Sequence, residues 1–232
     1  IINFNKAKGL WFLFILAGIS FGIDMALWNW SIHFTSVAHA TLMANTAPIF
    51  VTLISIFYLR NNIHSLFLLA LLLSVIGVLI VIGAGSGSDT TRLLGDSLGI
   101  LAALFYAGYI LSVKQLTNNI HPAYVLLVTT FVTAVFLFPV SLIEAGNFFT
   151  SSISSWGVLL SYAVVSQVIA QGLITFGISR LSVHLSALTL LVQPIAAALF
   201  GMVLLGENIN SLQVFGGFLV LVGIYLAASI ES

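Results

Sequence analysis

Eight apolar stretches, each roughly 19–24 residues long, leave this chain few ways to fold. They run Gly9–Trp30, Ser36–Leu59, Ser65–Gly83, Gly95–Val113, Pro122–Ile143, Trp156–Ile178, Val183–Leu205 and Ser211–Ala228. An α-helix rises about 1.5 Å per residue, so about 20 residues cross a hydrocarbon core about 30 Å thick. No water in that core can satisfy a backbone N–H or C=O, so each stretch must close its hydrogen bonds internally as a helix. Only 5% of the residues are charged, against about 25% in a soluble domain. So little polar surface cannot cover a water-soluble globule. The expected fold is an all-α, polytopic (multi-pass) membrane protein whose solvent is the lipid bilayer.

Several function classes are closed off by what the chain lacks. Net charge is zero and no basic run suits nucleic acid. Cys is absent, which removes thiol catalysis, disulfides and Cys-based metal sites. No Gly-x-x-x-x-Gly-Lys-Ser/Thr loop exists to hold ATP. An intramembrane aspartyl protease needs two carboxylates in its spans, and Asp24 is the only acidic residue well inside one. A serine protease needs a paired Ser and His in the core, whereas Gly85-Ser86-Gly87-Ser88 stands in a loop. The expectation is a non-enzyme with no cofactor and no metal.

Within its apolar stretches the chain repeats itself. A shift of 146 positions, the interval from Pro48 to Pro194, lays Ser36-Val37, Leu42, Pro48-Ile49, Leu53 and Leu59 on Ser182-Val183, Leu188, Pro194-Ile195, Leu199 and Leu205. The register continues without a gap: Asn62-Ile63 falls on Asn208-Ile209, Ser65-Leu66 on Ser211-Leu212, Leu73 on Leu219 and Gly77 on Gly223. Leu and Val coincide by chance in apolar sequence. The shared Pro and the Asn-Ile-x-Ser-Leu turn are harder to obtain that way, and they mark an internal duplication.

Basic residues orient the copies. With the loops numbered alternately, Lys6, Lys8, Arg60, Lys114 and Arg180 share one side, and Arg92 joins Asp89, Asp96, Glu144 and Glu207 on the other. Lys and Arg gather in cytoplasmic loops, so both chain ends are expected inside. Spans one and six, equated by the duplication, then enter from opposite faces. Inverted copies are the build of secondary transporters, which alternate access around a midplane site. Residues 1–84 are read as a partial first repeat of three helices, the Gly/Ser-rich 85–94 as a linker, and 95–232 as a second repeat of five. After the linker, two helices precede the second copy, whereas only eight residues precede the first; this plan expects two further helices before Ile1.

Thr35-Ser36-Val37-Ala38, Ala47-Pro48, Leu181-Ser182-Val183, Gln193-Pro194 and Leu205-Gly206-Glu207 together resemble the EamA-like permeases of the drug/metabolite transporter superfamily. The stretch Gly22–Ile32, with Asp24, Trp28 and Trp30, resembles a subgroup pattern in that family's third helix. The resemblance implies an inverted-repeat transporter fold on a five-plus-five helix plan, here three plus five, in a bacterial or archaeal plasma (inner) membrane. One departure is that Arg60-Asn61 stands where the second copy has Gly206-Glu207. The implied function is a secondary transporter (permease or exporter) of a small organic solute such as an amino acid, metabolite or drug. A non-transporting membrane scaffold or a channel-like pore is the alternative left open.

Candidate pathway residues follow from polarity inside the spans. A carboxylate at the centre of a span costs about 2.5–3.5 kcal/mol on insertion scales, so Asp24 calls for a function or a compensating contact. It is expected to bind and release a coupling proton or to meet a substrate amine. Trp28 lies four residues on, on the same helical face, where it can wall a pocket or face a cation. Thr41, Asn45, Pro48 and Thr52 form one polar stripe on span two, and Ser186, Thr189 and Gln193 form another on span seven. Pro48 and Pro194 carry no N–H for the carbonyls of Ala44 and Leu190, and such carbonyls are tolerated at membrane depth where they face a cavity. Both prolines are expected hinges. Tyr106 on span four, with Gln167 and Gln171 on span six, completes an expected pathway of Asp24, Trp28, Thr41, Asn45, Tyr106, Gln167, Gln171 and Gln193. The competing reading for each polar residue is glue between helices, worth about 0.6 kcal/mol per contact. Gly18-x-x-x-Gly22 and Gly95-x-x-x-Gly99 are expected points of close helix approach.

Overall fold

Wherever the structure describes them, the apolar stretches are helical, with short interruptions in two of them. The structure, a computed structural model of the chain, describes residues 10–35, 37–57, 64–82, 90–144, 152–205 and 211–231. Among these residues every regular element is helical and none is a strand. In chain order they are α1 (Trp11–Phe34), α2 (Val37–Ala44), α3 (Ala47–Phe57), α4 (Ser65–Ile82), α5 (Thr90–Thr117), α6 (Pro122–Glu144) and α7 (Ile153–Ala163). A π-helical segment (Val164–Ala170) joins α7 to α8 (Gln171–Arg180), and α9 (Val183–Thr189), α10 (Val192–Leu205) and α11 (Ser211–Glu231) follow. Five helical stretches among the described residues are long and apolar enough to cross a membrane: Trp11–Phe34, Leu93–Thr117, Pro122–Ile143, Ile153–Arg180 and Ser211–Ile230.

The second and seventh stretches are not kinked but interrupted. Span two is α2 and α3 separated at residues 45–46, and span seven is α9 and α10 separated at residues 190–191. Pro48 is the second residue of α3 and Pro194 the third of α10, both in the first turn, where a missing N–H costs least. The chain bridges each break with a tight turn, in which Thr46 N donates to Met43 O (3.1 Å) and Leu191 N donates to Leu188 O (3.1 Å).

Span four begins earlier than expected. α5 starts at Thr90, so residues 90–94 of the expected linker are helical, and residues 85–89 lie outside the described residues. Gly95 is therefore interior, and a contact explains it: a Cβ there would meet Thr35 Cβ at 2.8 Å, and one at Gly99 would meet Met43 Cβ at 2.7 Å. Ser31 Oγ donates to Gly95 O at 2.7 Å across the same approach. Also outside the described residues lie Lys6, Lys8, Ser36, Arg60, Glu207 and the repeated Asn-Ile turn.

The chain divides into two compact units that do not follow the repeat boundaries: Ile1–Ile23 with Gly108–Leu181, and Asp24–Ala107 with Ser182–Ser232. In the first unit α6 lies on α8, and the start of α1 lies on α6. A Cβ at Gly18 would meet Val132 Cβ at 2.5 Å, one at Gly22 would meet Phe136 Cδ1 at 2.6 Å, and Thr133 Oγ1 donates to Gly18 O at 2.8 Å.

In the second unit α4 and α11 form the closest helix pair. Its contacts are reciprocal. A Cβ at Gly77 would meet Gly216 O (2.5 Å) and Val220 N (2.8 Å), while one at Gly223 would meet Ala70 O (2.6 Å) and the Ser74 side chain. Gly77, Ala70 and Ser74 are the positions that the 146-residue shift lays on Gly223, Gly216 and Val220. Each glycine thus touches the counterparts of the residues that touch its own counterpart, the reciprocity of a local twofold. The same contacts make the two helices antiparallel, since Gly77 near the end of α4 meets the first half of α11, and Gly223 meets the first half of α4.

Candidate functional site

The broken helices of the second unit enclose a cavity of about 210 Å³. Thr41, Ala44, Asn45, Ala47 and Pro48 line it from the first break, and Ala187, Leu190, Leu191 and Gln193 line it from the second. Eight of these nine are four matched pairs under the same shift: Thr41 with Ala187, Ala44 with Leu190, Asn45 with Leu191, and Ala47 with Gln193. Backbone positions are matched, but the chemistry is not. Thr41 and Asn45 put polarity on the first copy where the second has Ala and Leu, and Gln193 reverses the pattern at the last pair.

The local reason for the walls is the pair of prolines. Neither has an N–H to return to the carbonyl four residues back, and both residues that own those carbonyls, Ala44 and Leu190, face the cavity. At the first break the side chains close the turn: Asn45 Nδ2 donates to Thr41 O (2.8 Å), Thr46 Oγ1 to Met43 O (2.6 Å) and Thr52 Oγ1 to Pro48 O (2.7 Å). At the second, Ser182 Oγ caps α9 by accepting from Leu185 N (3.1 Å), and Ser186 and Thr189 donate to Ser182 O (2.6 Å) and Ser186 O (2.9 Å). The polar stripes of both spans therefore act first on their own backbone. Asn45 keeps its side-chain oxygen free of these bonds.

α1 supplies Asp24, Met25 and Trp28, and α5 supplies Tyr106. Asp24 makes no hydrogen bond with a described residue, and no Lys, Arg or His lines the cavity among the described residues. The wall thus offers a carboxyl group, carbonyl oxygens and two aromatic faces, with no fixed cation. That set accepts hydrogen bonds and attracts a donor-rich or cationic group. Among the described residues no three His, Asp or Glu gather closely enough to hold a metal ion.

Six of the eight expected pathway residues meet here: Asp24, Trp28, Thr41, Asn45, Tyr106 and Gln193. Gln167 and Gln171 do not line the cavity; they belong to the first unit. There Gln171 is buried and its Nε2 donates to Tyr109 Oη at 2.8 Å, with Thr175 Oγ1 at 3.5 Å from the same oxygen. Phe21 covers the Tyr109 ring at 4.8 Å between centroids. Gln167 lies in the π-helical segment and is half-buried. Four lining residues, Met25, Ala47, Ala187 and Leu191, are apolar and escape a search for polar stripes. The 146-residue shift carried the signal for the last three, since they are the counterparts of Gln193, Thr41 and Asn45.

The profile of the EamA-like transporter family matches residues 1–83 and 93–229. A Bacillus subtilis protein, the uncharacterized transporter YetK, is 29% identical over 85% of this chain and 61% of its own length. The pseudopaline exporter CntI of Pseudomonas aeruginosa is 25% identical over 90% of this chain and 72% of that protein. The threonine/homoserine exporter RhtA of Salmonella typhimurium is 26% identical over 92% of this chain and 69% of its own length. This chain therefore spans about three fifths of the Bacillus relative. A solved crystal structure superposes with a TM-score of 0.69, covering 94% of this chain and 87% of that one at 17% identity, a likeness of fold.

Proposed function

This chain belongs to the EamA-like transporter family, and from that premise we propose that it acts as a secondary transporter of a small organic solute by alternating access of two inverted repeats. One observation carries the reading: the cavity is lined by four matched pairs of positions, one member from each copy, at two broken helices. Discontinuous helices meeting at the interface of repeats are how such transporters build a substrate site. The antiparallel, reciprocal contacts of α4 and α11 support the inversion. In this reading Pro48 and Pro194 are the hinges, and Asp24, Trp28, Thr41, Asn45, Tyr106 and Gln193 line the path. Gln171 holds Tyr109 instead, and Gln167 keeps the pathway role only if the π-helical segment turns it inward during the cycle.

The solute is amino-acid-sized and carries an ammonium group. Two features support this: a volume of about 210 Å³ lies below the roughly 300–1,000 Å³ of drug-sized sites, and Asp24 lines the cavity with carbonyls and the aromatic rings of Trp28 and Tyr106, while no Lys, Arg or His lines it among the described residues. Asp24 alternates between this ammonium and a coupling proton, as intramembrane carboxylates in transporters do. The protein works in a bacterial or archaeal plasma membrane with both chain ends in the cytoplasm, the side on which five of its six basic residues fall.

The test is counterflow in proteoliposomes with labelled neutral and basic amino acids, and with dicarboxylates as the contrast. Saturable uptake of an ammonium-bearing solute is expected, and Asp24→Asn removes its pH dependence while protein yield and helicity stay as in the wild type. Flux that never saturates would replace the transporter with a pore. No flux of any solute would favour a scaffold.

A further inference from the structure

A second cavity, of about 380 Å³, opens within the first unit, where the turn between α5 and α6 meets the end of α8. We infer that it binds the phosphate of an anionic phospholipid headgroup. Its polar lining divides sharply by what each group already does. Thr117 Oγ1 donates to Val113 O (2.9 Å) and Ser179 Oγ to Phe176 O (2.6 Å), so both hydroxyl hydrogens are spent on the backbone. Three donor groups remain. Arg180 has no ion pair with a described residue, and its guanidinium carbon sits 5.0 Å from the centre of the Phe176 ring, a contact that steadies the group without using its N–H bonds. The Asn119 side-chain amide has no partner among the described residues. His121 Nδ1 accepts from Ala123 N (3.3 Å), which leaves the hydrogen of the neutral ring on Nε2.

A guanidinium, an amide N–H and an imidazole N–H around one cavity, with no Asp or Glu in its lining among the described residues, suit the oxygens of a phosphate. Lys114, three residues before Thr117, adds a second cation to this end of the unit, its Nζ donating to Ile178 O at 3.2 Å. Free phosphate and a lipid phosphodiester share that chemistry, and the surroundings favour the lipid. The cavity stands where the membrane-length helices Leu93–Thr117, Pro122–Ile143 and Ile153–Arg180 begin or end, which is headgroup level. From Phe176 on its wall, Leu173 continues one helical turn along the span, and both side chains are exposed, offering a path for an acyl chain. Basic pockets between helix ends are established headgroup sites in other membrane proteins.

The test uses the full chain purified in a neutral maltoside detergent, with native mass spectrometry of protein exchanged against equal amounts of phosphatidylglycerol and phosphatidylcholine. Phosphatidylglycerol is expected to stay bound preferentially, and Arg180→Gln to weaken its retention about tenfold or more, the loss of one charge-assisted partner. Asn119→Ala gives a smaller loss. Arg180 is exposed, so the lipid-free melting temperature of Arg180→Gln should match wild type and separates lost binding from lost fold. Equal retention of the two lipids, or undiminished retention by Arg180→Gln, overturns the site. A rise in melting temperature with inorganic phosphate as large as that with phosphatidylglycerol overturns the lipid and leaves a soluble phosphate as the ligand. None of these readouts depends on solute flux.

Discussion

Gly77→Ala puts the α4–α11 contact to a quantitative test. The new methyl would lie 2.5 Å from Gly216 O and 2.8 Å from Val220 N, both backbone atoms that no rotamer change can move aside. The helices must separate, and overpacking of this kind costs about 1–3 kcal/mol. Alanine returns about 0.5–1 kcal/mol through its better helix propensity, so the middle of the two ranges gives a net loss of about 1.3 kcal/mol, with extremes of about 0 and 2.5 kcal/mol. At about 2–4 °C per kcal/mol for a chain of this size, the melting temperature falls by about 3–5 °C. Gly223→Ala should fall by a similar amount, because its methyl meets Ala70 O at 2.6 Å and displaces the Ser74 hydroxyl, which donates to Ala70 O at 2.9 Å. The double variant should lose less than the sum, since one separation relieves both contacts. Gly157→Ala is the internal control: nothing lies within 4 Å of its added Cβ, and it should melt at or slightly above wild type. The assay is thermal unfolding of detergent-solubilised protein followed by circular dichroism. Gly77→Ala melting with wild type, or Gly157→Ala falling as far as Gly77→Ala, would refute the reasoning.

Other perturbations separate the remaining roles. Pro48→Ala restores an N–H for the Ala44 carbonyl and should fuse α2 to α3; solute flux should drop by about tenfold or more while thermal stability holds or rises slightly, since a proline in the first turn of α3 costs that helix little and the Ala44 carbonyl regains a donor. Flux unchanged in that variant would remove the hinge. Gln171→Leu strips the buried Tyr109 hydroxyl of its 2.8 Å donor and should cost about 1–3 kcal/mol of stability, seen as a lower melting temperature with the KM for solute unchanged. A raised KM at wild-type stability would return Gln171 to the pathway.

The helices, their approximate limits and the two prolines beside the interruptions were legible in the chain, because each depends on a window of about 20 residues; the breaks at residues 45–46 and 190–191 were expected only as kinks. Backbone groups in lipid must be satisfied within their own segment, and a proline removes one donor from that ladder, although α6 runs on through Pro139. The 146-position shift was legible too, and it pairs eight of the residues that line the cavity, since a shift in register needs no structure. Which face of each helix turns inward was decided only by tertiary contacts. On α4, Leu71 is buried while Leu68, Leu69 and Leu72 are exposed; in a bilayer both faces are apolar, so hydropathy carries no mark of the inside. Gly95 read as the start of a span because the residues before it are polar and Gly/Ser-rich, whereas α5 begins at Thr90; the close approach expected at Gly95 is made to Thr35, 60 residues earlier in the chain. Gln171 read as a pathway residue from its spacing along the helix. Its partner Tyr109 lies on another span, and a buried amide is committed by the donor or acceptor it meets across helices rather than by its spacing along its own.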